Sequence, residues 1–392
     1  MAATTPQTRH SLCHGIYSER MNAARHRAAM LSIGLVAVLL AGCASPTLPQ
    51  GRNLPNLLGL ERKDILAIDK KSALSDELLE SLTSTTLPGC SAAIAVRGEL
   101  VWANARGLAD LESGTPLTTS TRFDIASISK QFTATAVLLL QRDGLLSLSD
   151  PVSRYVGGLP GWADEVTLGA LMHHSARLPD FRIALEDRGL GFATSVDQQT
   201  TLVTIARERD REPGEGYYYS NTHYVLLAAV VESVSGQSLN DFLQGRVFGP
   251  LDLDMVIAPT QLSDGIATSY EVDLAVQRGA WAAYGHTGII TTPIDLALWG
   301  DEYREGEIVG DDFAIGAITD GDGALYGAGI FLNDDGTLSH SGRWGGYLSN
   351  FRVSVDREVV MAVACNGRGA PRADLANGLW ALWTDPIEAP SP

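Results

Sequence analysis

The stretch Phe123-Asp124-Ile125-Ala126-Ser127-Ile128-Ser129-Lys130, running on through Gln131–Arg142, sets the reading of the whole chain. It opens as a short apolar strand end and passes through a tight turn. From Ala134 to Leu140 the residues are nearly all apolar, so a helix is predicted there, with Asp143-Gly144 as its stop. Ser127 falls at or beside the N-terminus of that helix, where unpaired backbone N–H groups and the positive end of the dipole favour developing negative charge. Lys130, three residues on, shares a face of the first turn with it.

Composition singles out this lysine. Of 29 basic residues, only Lys63, Lys70, Lys71 and Lys130 are lysines, and every cation after Lys71 except Lys130 is arginine. Arginine keeps its proton in a protein, whereas a desolvated lysine can serve as a base near neutral pH. Taken alone, a helix cap followed by a solvated lysine would give the same pattern.

Two further motifs change the balance. Tyr219-Ser220-Asn221 and His340-Ser341-Gly342 follow in order, spaced by about 90 and 120 residues. The set resembles the serine β-lactamase and penicillin-binding protein superfamily, whose pattern is S-x-x-K, then S/Y-x-N, then K/H-x-G. It is most similar to the class C-type branch of esterases, D-aminopeptidases and DD-peptidases. Supporting text lies at Leu148–Val152, Leu171–Asp180, Pro213-Gly214 and Ile289–Leu296, so the resemblance covers roughly residues 62–385.

The resemblance implies an acyl-enzyme on Ser127, with Lys130 or Tyr219 as the base that activates it. It makes Asn221 a hydrogen-bonding partner of substrate and lysine, and assigns the oxyanion to the backbone N–H groups of Ser127 and Arg343. His340 and Gly342 complete the substrate-binding set. A largely neutral histidine, where β-lactamases have lysine, holds a substrate carboxylate less well. That shifts the expectation toward a carboxylic ester, small amide or D-amino-acid peptide. β-Lactam hydrolysis or DD-carboxypeptidase activity is the alternative, and a catalytically inactive binding protein is the second. Arg177 stands where the family usually has glycine, and would be strained if that position needs a positive φ.

The N-terminus reads as a targeting segment. Arg20, Arg25 and Arg27 precede the apolar run Met30–Leu40, which ends in Leu40-Ala41-Gly42-Cys43. This resembles a bacterial lipoprotein signal spanning residues 1–42 (with Met21 as an alternative start), lipid-modified on Cys43, and a tether over residues 43–60 rich in proline. The implied location is the cell envelope, facing the periplasm from the outer membrane, with the lipid as membrane partner. Beyond residue 42 the chain carries 25 basic against 45 acidic residues, which argues against nucleic acid as a partner. No cofactor or metal is expected: His173 and His174 are adjacent, and no C-x-x-C or H-E-x-x-H appears. In an oxidising periplasm a Cys90–Cys365 bridge is permitted, but buried free thiols are the preferred reading.

Helical spacing over Ile65–Leu82 and a hairpin at Cys90–Leu108 come first. Helices are predicted at Thr167–His174, Thr200–Arg209, Tyr224–Val234, Leu239–Val247 and Pro293–Tyr303. The period then becomes two, with strands at Ala324–Asn333, Thr337–His340, Leu348–Val355 and Val359–Cys365 before a closing helix at Asp374–Trp383. The predicted class is α/β (α+β). An antiparallel sheet flanked by helices is built from about 61–145 and 280–388, and a helical part from about 146–279 is inserted within a hydrolase domain of 61–388.

Overall fold

A computed structural model describes residues 62–385 apart from 210–214, 259–264, 278 and 280. The signal, the tether and Cys43 lie outside the described residues. The first helix, α1 (Arg62–Leu82), leads to the hairpin β1 (Cys90–Val96) and β2 (Glu99–Arg106). Short strands β3 (Leu108–Asp110) and β4 (Thr115–Pro116) pair with each other, and β5 (Phe123–Asp124) enters the Ser127 turn.

Helices then dominate: α2 (Lys130–Arg142), α3 (Leu168–Met172), α4 (Phe181–Glu186), α5 (Gln198–Ile205), α6 (Asn221–Ser235) and α7 (Leu239–Leu243). The α6 helix is apolar on nearly every side and correspondingly buried from Asn221 to Val231, save Ala229. Strands β6 (Val256–Ile257) and β7 (Ile289–Thr291) join β5 in a small sheet, with β7 in the middle. Helix α8 (Pro293–Trp299) begins with Thr292 accepting from the Asp295 N–H and proline at its first position.

The remaining strands are β8 (Ile318–Thr319), β9 (Leu325–Tyr326), β10 (Phe331–Leu332), β11 (Leu338–Trp344), β12 (Tyr347–Val353) and β13 (Val359–Cys365), followed by α9 (Arg372–Thr384). With β1 and β2 they form an eight-stranded sheet in the order β2-β1-β13-β12-β11-β10-β9-β8. Its pairings are antiparallel. Alternation along β1 and β13 sends Cys90, Ala92, Ile94, Met361, Val363 and Cys365 toward Leu375 and Leu379 of α9, while Ala93, Ala95 and Ala362 face the larger core.

Two expectations are corrected. The predicted strand Ala324–Asn333 is two short strands, because the chain turns at Gly327-Ala328-Gly329. Gly329 has φ 76°, and a Cβ there would stand 2.6 Å from the backbone of Lys130 and Gln131, so the turn packs directly on the start of α2. Cys90 and Cys365 are a disulfide rather than free thiols, because β1 and β13 are neighbours and place the two residues directly opposite, with Cα atoms 4.1 Å apart. The partners are 275 residues apart in sequence, so no local pattern reveals the pairing.

Candidate active site

Ser127 occupies a 3₁₀ turn, Ala126–Ser129, that runs straight into α2. The turn is strained: Ala126 has φ 53°, a left-handed conformation unfavourable for a residue with a Cβ. Asp124 holds it there. Its Oδ1 accepts from the Ala126 N–H at 2.7 Å, the Thr287 hydroxyl at 3.0 Å and the Gly288 N–H at 3.4 Å. Burial pushes the Asp124 carboxyl up to about 6, against the pull of those three donors.

Lys130 is fully buried, and its Nζ meets three oxygens: Ser127 Oγ at 3.1 Å, Asn221 Oδ1 at 2.9 Å and the His286 carbonyl at 2.9 Å. Burial holds its pKa well below the usual lysine range, and the Asp180 charge raises it only in part. Asn221 cannot turn its amide around, because its Nδ2 donates to Asp180 Oδ2 at 2.8 Å. Asp180 is in turn gripped by Arg182 at 2.9 and 3.1 Å and accepts the Asn221 and Arg182 N–H groups. A chain of contacts thus runs from Arg182 through Asp180 and Asn221 to Lys130 and Ser127.

Tyr219 lies across Lys130, its ring centroid 4.9 Å from Nζ. Burial raises the phenol pKa above its ordinary value, and a hydrogen bond with Ser127 pulls it back only partly. Behind it, His174 packs on Tyr219 with ring centroids 4.3 Å apart. Its Nδ1 is 2.8 Å from Nδ1 of His223, whose Nε2 accepts the Leu178 N–H. His223 therefore carries its proton on Nδ1 and His174 on Nε2, and burial keeps both pKa values below the usual range, His223 at about 3.

The sheet closes the other side. Gly342 on β11 lies against the turn: a Cβ there would stand 2.1 Å from Ser349 Oγ, 2.4 Å from the Ile125 carbonyl and 2.9 Å from Ala126 Cβ. Ser349 opposes it on β12 and donates to that same Ile125 carbonyl at 2.7 Å. Arg343 follows Gly342 on the strand, opposite Leu348, with its side chain exposed on the far face. β10 pairs only with Leu338 and Ser339 of β11.

His340 sits one alternation deeper, buried, with Nδ1 on the Ser341 carbonyl at 2.7 Å and Nε2 near the Tyr326 hydroxyl at 3.3 Å. Nδ1 donates to the carbonyl, so Nε2 accepts from the tyrosine. Burial takes its pKa down to about 3, so the imidazole is neutral. Both ring nitrogens are thus engaged by the protein. Arg177 has φ 55° and lies over the Tyr218 ring, so the position that is usually glycine does carry the positive φ.

The structure therefore brings Ser127, Lys130, Tyr219, Asn221 and Gly342 together at one place. Asp124, Asp180, Arg182 and the His286 carbonyl belong to the same constellation; Asp124 and Asp180 lie within stretches quoted above without being given a role, and Arg182 and His286 lie outside every motif. Leu178-Pro179-Asp180 before an apolar run carried a helix-cap signal that could have marked Asp180, which caps α4. Among the described residues no cluster of metal-ligating side chains is present.

The β-lactamase family model matches residues 74–382. Penicillin-binding protein 4* of Bacillus subtilis is 28% identical over 300 residues, covering 69% of this chain and 66% of that protein. D-aminopeptidase of Brucella anthropi is 31% identical over 284 residues, covering 68% of this chain and 52% of the relative. The chain thus spans just under two thirds of one curated relative and about half of the other. Among solved structures, the octameric penicillin-binding protein homologue from Pyrococcus abyssi superposes with a TM-score of 0.68 at 24% identity, over 81% of this chain and 77% of that one. D-amino acid amidase from Ochrobactrum anthropi SV3 gives 0.65 at 21% identity, over 82% of this chain and 100% of that one. These two structures are alike in fold.

Proposed function

The chain belongs to the β-lactamase family, and from that premise we propose that it is a serine hydrolase working through an acyl-enzyme on Ser127. One observation carries the reading. Two of the three partners of Lys130 Nζ are oxygens that can only accept, the Asn221 amide oxygen and the His286 carbonyl. A neutral amine donates its two protons to those and has a lone pair left for the one partner able to give a proton, the Ser127 hydroxyl.

Lys130 takes the Ser127 proton as Oγ attacks the substrate carbonyl carbon. The N–H groups of Ser127 and Arg343 receive the oxyanion. As the tetrahedral intermediate collapses, the leaving group takes a proton from Tyr219, which is replaced from Lys130. Water then releases the acid by the same route. The high pKa of Tyr219 supports its part as a proton carrier rather than a resting phenolate.

The substrate class we propose is a carboxylic ester, small amide or D-amino-acid peptide. The D-aminopeptidase relative supports the amide side. The buried, neutral, doubly engaged His340 supports the weaker grip on a carboxylate that sets β-lactams lower. Placement in the envelope through lipid on Cys43 is part of the proposal and is supported by the sequence around Leu40–Cys43. The full chain is to be assayed with a short-chain nitrophenyl ester, a D-amino-acid nitroanilide and nitrocefin, beside Ser127→Ala. Turnover lost in the variant, with ester or anilide ahead of nitrocefin, is the expected result. Turnover surviving the substitution would overturn the nucleophile, and nitrocefin ahead of both would overturn the substrate class.

A further inference from the structure

We propose that Arg372, the first residue of α9, is a positioning residue that strengthens the backbone oxyanion donor at Arg343; this rests on the acyl-enzyme reading above. Its Nη1 donates to the carbonyl oxygens of Gly342 at 3.2 Å and Ser349 at 3.0 Å. The Gly342 carbonyl and the Arg343 N–H are the two ends of one planar, resonance-coupled peptide group. A cation on the carbonyl end draws electron density from the nitrogen, makes the N–H a stronger donor and fixes the direction in which it points. Hydrogen bonds linked in this way reinforce each other by about 10–30% per bond.

The second carbonyl adds to the effect. Ser349 is the residue directly opposite Gly342, and its hydroxyl is bonded to the Ile125 carbonyl just ahead of the Ser127 turn. One guanidinium therefore ties both strands at the rung that bears on the nucleophile. It does so from behind: along β11 the side chains of Ser341 and Arg343 are exposed while those of His340 and Trp344 are buried on the other face with Gly342. Neither Arg343 nor Arg372 offers its side chain to substrate, so any influence passes through the peptide.

The charge itself needs a reason. Arg372 is half-buried, and no carboxylate among the described residues pairs with it. Arg343 and Arg352 add like charge nearby. In a chain with 45 acidic against 25 basic residues beyond residue 42, three arginines stand together behind the oxyanion strand.

An oxyanion donor contributes about 10²–10³ in kcat, and 10–30% of that free energy corresponds to about 2- to 8-fold. The test compares Arg372→Met, Arg372→Lys and Arg372→Gln in the full chain, with ester kcat and KM, the Ki of phenylboronic acid (which adds to a serine as a tetrahedral anion) and the melting temperature. Arg372→Met is expected to lower kcat about 2- to 8-fold and weaken the boronate equally, with KM and the pH midpoint unchanged. Lysine should restore most of the loss. Glutamine, which keeps an N–H on the carbonyls without the charge, should fall between. Unchanged kcat and boronate affinity in both neutral variants would overturn the proposal and leave Arg372 a structural tie. Covalent labelling of Ser127 by a fluorophosphonate, read by intact mass, reports the acyl-enzyme reading separately; wild type without label would overturn both.

Discussion

In the mechanism proposed above, the two flanks of Ser127 do different work with different atoms. On the helical flank, side chains carry the chemistry: Lys130, Asn221, Asp180 and Arg182 form a continuous polar chain inside an otherwise apolar bundle. On the sheet flank the backbone carries it, and the side chains that matter are those that stay out of the way or hold carbonyls. Gly342 is needed for the space it leaves, and Arg372 for the peptide it grips. The contrast teaches that nucleophile activation and oxyanion binding are separable here, and that each should break without the other.

The largest expected effect is on the helical flank. Lys130→Met removes the base, and Lys130→Arg puts in its place a cation that cannot lose its proton. Both should cost about 10²–10⁴ in kcat/KM for ester hydrolysis. Phenylboronic acid, whose adduct needs only the serine and the oxyanion donors, should lose less. Gly342→Ala is the opposite break. Its methyl group would meet Ser349 Oγ and the Ile125 carbonyl, so kcat should fall about 10²-fold and boronate binding with it. The pH midpoint of the remaining activity should not move.

Legibility in the sequence follows the same division. That Ser127, Lys130, Tyr219 and Asn221 would meet in space could be anticipated, because the motifs place those residue types in that order. The Asp180–Arg182 grip could not, because Asn221 meets it only through tertiary packing, 41 residues away in sequence. Asp124 was in plain view in the decisive stretch, yet nothing local says that its carboxylate pins the strained Ala126. The strands β1, β2 and β11–β13 were anticipated from apolar runs and alternation, whereas the short β6, β7 and β8 were not. The break at Gly327–Gly329, the register that sets Gly342 on the turn and the Cys90–Cys365 pairing are long-range facts. Arg372 had no signal at all, since an arginine at a helix start looks like any other.

A smaller effect sharpens the role of the Asp180 grip. The Asp180 charge raises the Lys130 pKa, so Asp180→Asn should shift the acid limb of kcat/KM to lower pH. It should also lower activity about 10-fold as Asn221 loses its fixed orientation. A shift to higher pH would contradict the electrostatics described here. The smallest effect concerns stability. Asp124 has its folded pKa raised to about 6, so its contribution is complete below the unfolded value near 4 and is lost as pH rises through 6. That loss amounts to about 3 kcal/mol by pH 7.5. The wild-type melting temperature should therefore fall between pH 5 and 7.5 more than that of Asp124→Asn, which keeps the acceptor without the charge. Equal falls would remove Asp124 from this role.

The most direct measurement is the pH dependence of Ser127 acylation by a fluorophosphonate, in wild type and Lys130→Met. The wild-type rate should rise with pH through a single ionisation well below 10.5, the ordinary lysine value, and then level off. In Lys130→Met that ionisation should be gone. A rate that climbs through lysine's ordinary range, or an ionisation that survives the substitution, would contradict a neutral Lys130 as the base.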